Sequence, residues 1–188
     1  MKDSGFFSEK ELSELGIKFG KNVLISRKTS IYCSDLEIGD NVRIDDFCIL
    51  TGKIKIGSHV HICSFSQLSG GSGIVMEDFT GTGSRSLLYS QSDDFSGLYL
   101  VGPLFDSKLT NVTKGTIYLK NHASVGPGSI VLPGVTISEG TVISLLSLIK
   151  KDTLPWKIYF GVPAKPIRNR KQNVLELEQT FLRDYDNK

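Results

Sequence analysis

At 188 residues with 39% hydrophobic content, the chain has the size of one globular domain with short appendages. Its 22 Lys and Arg against 20 Asp and Glu leave a formal charge of +2, too little to argue for a nucleic-acid partner. No apolar run approaches the length of a membrane span, and Met1-Lys2-Asp3 opens no apolar leader, so a cytoplasmic location is expected.

The N-terminal stretch, residues 1–18, reads as a helical cap. Ser8 and Glu11 have the spacing of a capping box, Leu12 and Leu15 give a short helix an apolar side, and Gly16 ends it. From Phe19 the pattern changes to a period of six. Hydrophobic residues head hexads at Phe19, Ile25, Ile31, Ile38, Ile44, Leu50, Ile56, Ile62, Leu68, Met76, Leu88, Leu119, Val125, Val131, Ile137, Ile143 and Ile149, with Thr82 the polar exception. Fifth positions are small or β-branched, among them Val23, Thr29, Val42, Cys48, Val60, Ser66, Thr80, Ser86, Ser92, Ala123, Ser129 and Thr141. A period of six is neither 3.6 nor 2, and it predicts a hexapeptide parallel β-helix over 19–153, about six turns of three hexads.

Two places depart from the repeat before its end. Gly70, Gly71 and Gly73 cluster where the phase slips by two, and no helix pattern or Gly-Lys-Ser/Thr follows them, so turn geometry is their reading. Residues 94–118 interrupt the hexads with an insertion of about 25 residues. It carries Phe95, Tyr99, Leu100, Pro103, Leu104 and Phe105, too apolar for a free tail, and is expected to fold over a neighbour or a ligand. After Thr153 the chain passes through Leu154-Pro155-Trp156 into Gly161-Val162-Pro163-Ala164-Lys165-Pro166-Ile167. A basic run to Lys171 and a short amphipathic helix follow. Residues 154–188 are thus expected as a basic loop and helix.

The cysteines, Cys33, Cys48 and Cys63, have neither metal-ligand spacing nor a redox-pair spacing, which suits a reduced compartment. His59, His61 and His122 invite a three-histidine zinc reading, as in carbonic-anhydrase-like hydratases. Two turns of the prism separate the first two from the third, about 10 Å at strand spacing and too far for one ion within a chain. No metal is expected.

The hexads, the insertion and the GVPAKPI segment together resemble the hexapeptide-repeat acyltransferases. The branch is that of the galactoside and maltose acetyltransferases and the sugar N-acyltransferases of surface-polysaccharide pathways. The run Tyr89-Ser90-Gln91-Ser92-Asp93-Asp94-Phe95 and the GVPAKPI ending resemble the viosamine acyltransferase-like enzymes, which act on nucleotide-linked 4-amino-4,6-dideoxy sugars. The resemblance covers roughly residues 19–171. It implies a left-handed prism, a homotrimer, and acetyl-CoA as co-substrate in the cleft between neighbouring prisms.

Carried over residue by residue, the last-turn segment ISLLSLIKK offers Leu145, Lys150 and Lys151 to coenzyme A, and GVPAKPIR offers Lys165 and Arg168. Cations at those places suit a pyrophosphate and a 3′-phosphate. The family commonly has small residues where this chain has Ser144-Leu145-Leu146, so the two leucines are positioned to narrow the channel or select the acyl group. The family's O-acetyltransferases place a catalytic histidine at the position that is Asp93 here. A sugar amine needs less help than a hydroxyl, so Asp93 or Asp94 is assigned to orient it and take its proton, with His122 as the other candidate base. Ser84, Arg85 and Tyr89 are assigned to the acceptor. N-acylation of a nucleotide-linked amino-deoxy sugar is the favoured reading. O-acetylation of a sugar and a non-catalytic β-helix scaffold are the alternatives; a scaffold needs neither the basic loop nor the insertion.

Overall fold

The computed structural model describes residues 5–186, so Met1–Ser4 of the expected cap and the last two residues of the chain lie outside the described residues. Nearly all of it is a parallel β-helix with three walls. On the first wall the strands Leu24–Ile25, Arg43–Ile44, His61–Ile62, Gly81–Thr82, Ser124–Val125 and Val142–Ile143 stack in parallel register. The second wall aligns Ile31, Leu50, Leu68, Leu88, Val131 and Ile149. The third aligns Phe19, Ile38, Ile56, Met76, Leu119 and Ile137. Every column is thus a run of hexad heads. Those side chains, with Val42, Cys48, Val60, Ala123 and Val135 at the corners, form one continuous core. Thr82 sits in its column with its hydroxyl donated to Ser66 Oγ at 3.2 Å, which satisfies the one polar group among the aliphatics.

The prism is longer than six turns. After Ile149, Thr153 arrives four residues on instead of six, and Tyr159 then follows by six. The strand Lys157–Gly161 stacks in parallel on Val142–Ile143, and buried Tyr159 extends the aliphatic column, giving about seven turns. Leu154-Pro155-Trp156 is therefore a corner inside the coil. Part of the expected basic loop is an antiparallel strand, Ala164–Asn169, laid along Lys157–Gly161. A reversed strand there covers the last rung, which would otherwise leave an open parallel edge.

Corners between walls are turned by residues in the left-handed backbone region, a conformation costly for a side chain. Asn22, Asn41, His59, Phe79, His122 and Trp156 all have positive φ at one corner. Each turn is secured from below, as when the N–H groups of His59, Phe79 and His122 donate to the carbonyls of Asp40, Ser58 and Asp78. At the next corner Phe47, Phe65, Arg85 and Leu146 take the same conformation.

Helix α1 (Glu9–Glu14) seals the first turn. The capping box is present, with Glu11 N–H donating to Ser8 Oγ and Ser8 N–H donating to the Glu11 carboxylate, and Leu12 is fully buried. Helix α2 (Asn173–Asp186) lies against the corner of His59, Phe79 and His122.

The insertion leaves the third corner as a hairpin. Gln91–Asp93 pairs antiparallel with Val112–Lys114, a loop spans 94–111, and the chain rejoins the third wall at Ile117–Leu119. Ser92, read from the period as a corner residue, is instead in this hairpin. Its base is fixed by buried Ser90, whose hydroxyl donates to Ser69 O and accepts from Ser72 N–H, both at 2.8 Å.

Candidate active site

Three surface hollows hold most of the residues singled out by the sequence. The first lies at the top of the third corner and encloses about 400 Å³. Lys150, Lys151 and Lys165 line it together with Asp152, Tyr159 and Pro163. Lys150 and Lys151 come from the rung after Ile149, and Lys165 comes from the reversed strand, so the seventh turn is what brings the three cations together. Arg168 is on the same reversed strand opposite Ile158, outside this hollow. Arg170 has a different task. Its Nη1 donates to the carbonyls of His122 and Gly140 at 2.7 and 3.0 Å, and its guanidinium lies over Trp156.

The second hollow, about 340 Å³, lies under the insertion, where Asp93 faces Pro103, Phe105 and Thr110. Asp94 is not in it. Its Oδ1 accepts from Ser96 N–H at 2.7 Å and its Oδ2 from Asn111 Nδ2 at 2.8 Å, bracing the loop across its base. Hydrogen bonds from Ser96, side chain and then backbone, and from Asn111 hold the Asp94 carboxyl below the usual carboxylate range, so it stays an anion. Tyr89 stands half-buried on the outer wall beside the hairpin, aligned with Ser69.

The third hollow, about 530 Å³, is at the second corner. Ser84 and Arg85 share it with Phe65, Pro127, Leu145 and Leu146. Arg85 lies 5.7 Å above the Phe65 ring, which stacks in turn on Phe47 at 5.1 Å. This aromatic column escapes a search for hexad heads because it is built from fourth positions. The signal is an aromatic recurring at one corner, Phe47 and then Phe65, a single turn apart.

His122 is the clear departure. A fourth-position side chain was expected to point outward as a candidate base. It does leave the core, but α2 covers it, and the residue is 4% exposed. Its Nε2 meets Glu178 Oε2 at 2.8 Å, and its ring stacks on Phe79. His59 stacks on the other face of Phe79 at 4.6 Å, and His61 is on the first wall. None of the three histidines lines any of the three hollows.

Within one chain the hollows fall at two corners. Lys150, Lys151, Lys165 and Asp93 belong to the third; Ser84, Arg85 and Leu145 belong to the second. One prism wall lies between, on the order of 15 Å at the rise of a strand.

Residues 35–70 match the family model described as bacterial transferase hexapeptide (six repeats). A dTDP-4-amino-4,6-dideoxy-D-glucose acyltransferase of Escherichia coli is 40% identical over 181 residues, covering 94% of both chains. AntD, an N-acyltransferase from Bacillus cereus solved in complex with dTDP and 3-hydroxybutyryl-CoA, superposes with a TM-score of 0.93 at 45% identity, covering 97% of this chain and 98% of that one. A maltose O-acetyltransferase from Clostridium difficile 630 shares the fold at 16% identity, with a TM-score of 0.57 over 92% of this chain and 79% of that one. The chain belongs to the bacterial hexapeptide-repeat transferases, among their acyltransferases.

Proposed function

We propose that this protein transfers an acyl group, acetyl in the simplest case, from coenzyme A to the 4-amino group of a dTDP-linked 4-amino-4,6-dideoxy sugar destined for a surface polysaccharide. The observation that carries the reading is near-full-length identity of 40% to an acyltransferase of that sugar. The solved relative AntD, bound to dTDP-4-amino-4,6-dideoxyglucose and coenzyme A in one form, supports it. So does the chemistry of the hollows. Lys150, Lys151 and Lys165 offer three cations to the phosphates of the cofactor, and Leu145 and Leu146 line the hollow that holds Ser84 and Arg85.

In this reading the uncharged amine attacks the thioester carbonyl. The tetrahedral oxyanion collapses, expels the thiolate of coenzyme A and forms the amide. Asp93 takes the proton lost by nitrogen, and Asp94, held as an anion, braces the loop beside it. An amine nucleophile suits a site whose hollows contain no histidine. The working unit in this reading is a homotrimer, as the resemblance to the hexapeptide-repeat acyltransferases implies, and assigned residues spread over two corners of one chain suit a centre shared between subunits. The free thiols of Cys33, Cys48 and Cys63 suit a reducing cytoplasm.

The test is release of free coenzyme A thiol from acetyl-CoA with two acceptors, the dTDP-4-amino sugar and its 4-hydroxy counterpart. The amino sugar should be turned over at least a hundredfold faster. Equal rates, or preference for the hydroxyl, would transfer the assignment to O-acylation, and no turnover of either would leave the scaffold reading.

A further inference from the structure

Outside the lining of all three hollows, the first wall carries a cluster with no part in the acyl transfer described above. Arg43–Ile44 pairs in parallel with His61–Ile62, Arg43 opposite His61. The next residues outward on these two rungs, Asp45 and Cys63, are therefore also level with each other. Backbone bonds hold both in place, Asp45 N–H to Ile62 O and Cys63 N–H to Thr82 O, each 3.0 Å.

His61 Nε2 lies 2.8 Å from Asp45 Oδ2. Cys63 Sγ lies 3.8 Å from Nδ1 and 3.9 Å from Nε2 of the same ring. One ligand atom from each of the three residues falls within 4.8 Å of the others. Arg43 Nε donates to Asp45 Oδ1 at 2.7 Å, which fixes the carboxylate and turns Oδ2 toward the ring.

We infer that Asp45, His61 and Cys63 form a binding site for a thiophilic divalent cation of the zinc class. The donor set is one sulfur, one nitrogen and one oxygen. Thiolate with imidazole selects zinc-like ions over magnesium or calcium, which take oxygen donors. Bond lengths of about 2.0–2.3 Å around a tetrahedral ion place its ligand atoms roughly 3.3–3.7 Å apart. The His61–Asp45 pair must open slightly, and the thiol must close by a few tenths of an ångström on the ring and move toward Asp45 from within 4.8 Å. Binding releases the proton of the Cys63 thiol to solvent, and the imidazole of His61 binds in its neutral form, Nε2 facing the ion and the ring proton on Nδ1. The His61 side chain is half exposed, so the fourth tetrahedral position faces water. Arg43 acts as an outer partner that orients a ligand.

The site joins two adjacent rungs and does not depend on the proposed acyl transfer. Reduced, chelator-stripped full-length protein titrated with Co²⁺ tests it. One equivalent per chain should bind with the near-ultraviolet absorption of a thiolate-to-cobalt charge transfer, and Zn²⁺ should displace it. Cys63→Ser should abolish that absorption, and His61→Ala should weaken Co²⁺ binding at least tenfold. Both side chains point out of the wall, and unchanged far-ultraviolet circular dichroism would confirm that the variants fold. No charge-transfer absorption in the unaltered protein at millimolar Co²⁺ would overturn the inference. So would the same absorption persisting in Cys63→Ser, which would assign the thiolate to Cys33 or Cys48.

Discussion

Asp93 and Asp94 are consecutive in sequence and do different things. Asp93 faces the hollow beneath the insertion, whereas both oxygens of Asp94 are engaged by Ser96 and Asn111. Asp93→Asn should lower kcat about a hundredfold while leaving the KM for acyl-CoA within about twofold, as loss of a proton acceptor does. Steady-state kinetics against each substrate reads the two effects separately. At the other end of the molecule, Glu11 is held down to about 2, first by hydrogen bonds from Arg27 and then from Ser8. A carboxyl depressed in the folded state adds stability that is fully present above its ordinary value near 4.5 and is lost as pH falls toward 2. Glu11→Gln should therefore flatten the fall in stability between those two values and leave its shape near neutral pH unchanged. Thermal melts of both proteins across that range would show it. A steeper fall in the variant would contradict the assignment.

At the scale of the element, the unit of the fold is a column of hexad heads rather than a single strand. Ile62 is fully buried between Ile44 and Thr82. Ile62→Ala should cost about 2–5 kcal/mol through lost burial and the cavity left behind. Thr82→Val, at the one polar place in the column, should change stability by less than about 1 kcal/mol. Ser66 Oγ keeps its own donated bond to Gly83 O when the threonine hydroxyl is removed. Denaturant unfolding of both variants tests this, and a loss for Thr82→Val as large as that for Ile62→Ala would show that the hydroxyl specifies the turn. The columns were legible because the hexad heads from Phe19 to Ile149 are hydrophobic apart from Thr82 and resume the period of six after each slip and after the insertion. The seventh rung was not, because a corner shortened by two residues and an aromatic head, Tyr159, break both features the period rests on. His122 was misread for a related reason. The hexad phase says that a fourth position leaves the core, but only the packing of α2 decides whether it then meets water or Glu178.

At the scale of the whole molecule, the surface itself calls for a partner. Phe95, Leu98 and Leu104 on the insertion are 76%, 82% and 92% exposed in a single chain, which is costly unless another surface covers them. The apolar character of 94–118 was legible in the sequence; the hairpin that aims it was not, since pairing of Gln91–Asp93 with Val112–Lys114 depends on where the corner releases the chain. The division of site residues between two corners was equally hidden, because spacing along a chain does not say which corner each position reaches. The homotrimer proposed above would carry out acyl transfer where the second corner of one subunit meets the third corner of its neighbour. Its most direct test is complementation. One chain carries Ser84→Ala with Arg85→Ala, the other Asp93→Asn with Lys150→Ala, and the two are co-expressed under different tags and purified as mixed assemblies. Each altered protein alone should fall below about a tenth of normal activity toward the amino sugar, as loss of charge-assisted contacts and of the proton acceptor requires. The mixed assemblies should recover a substantial share, because some of their clefts pair two intact corners. Mixed assemblies as inactive as their parents would place the whole centre within one subunit and contradict the account.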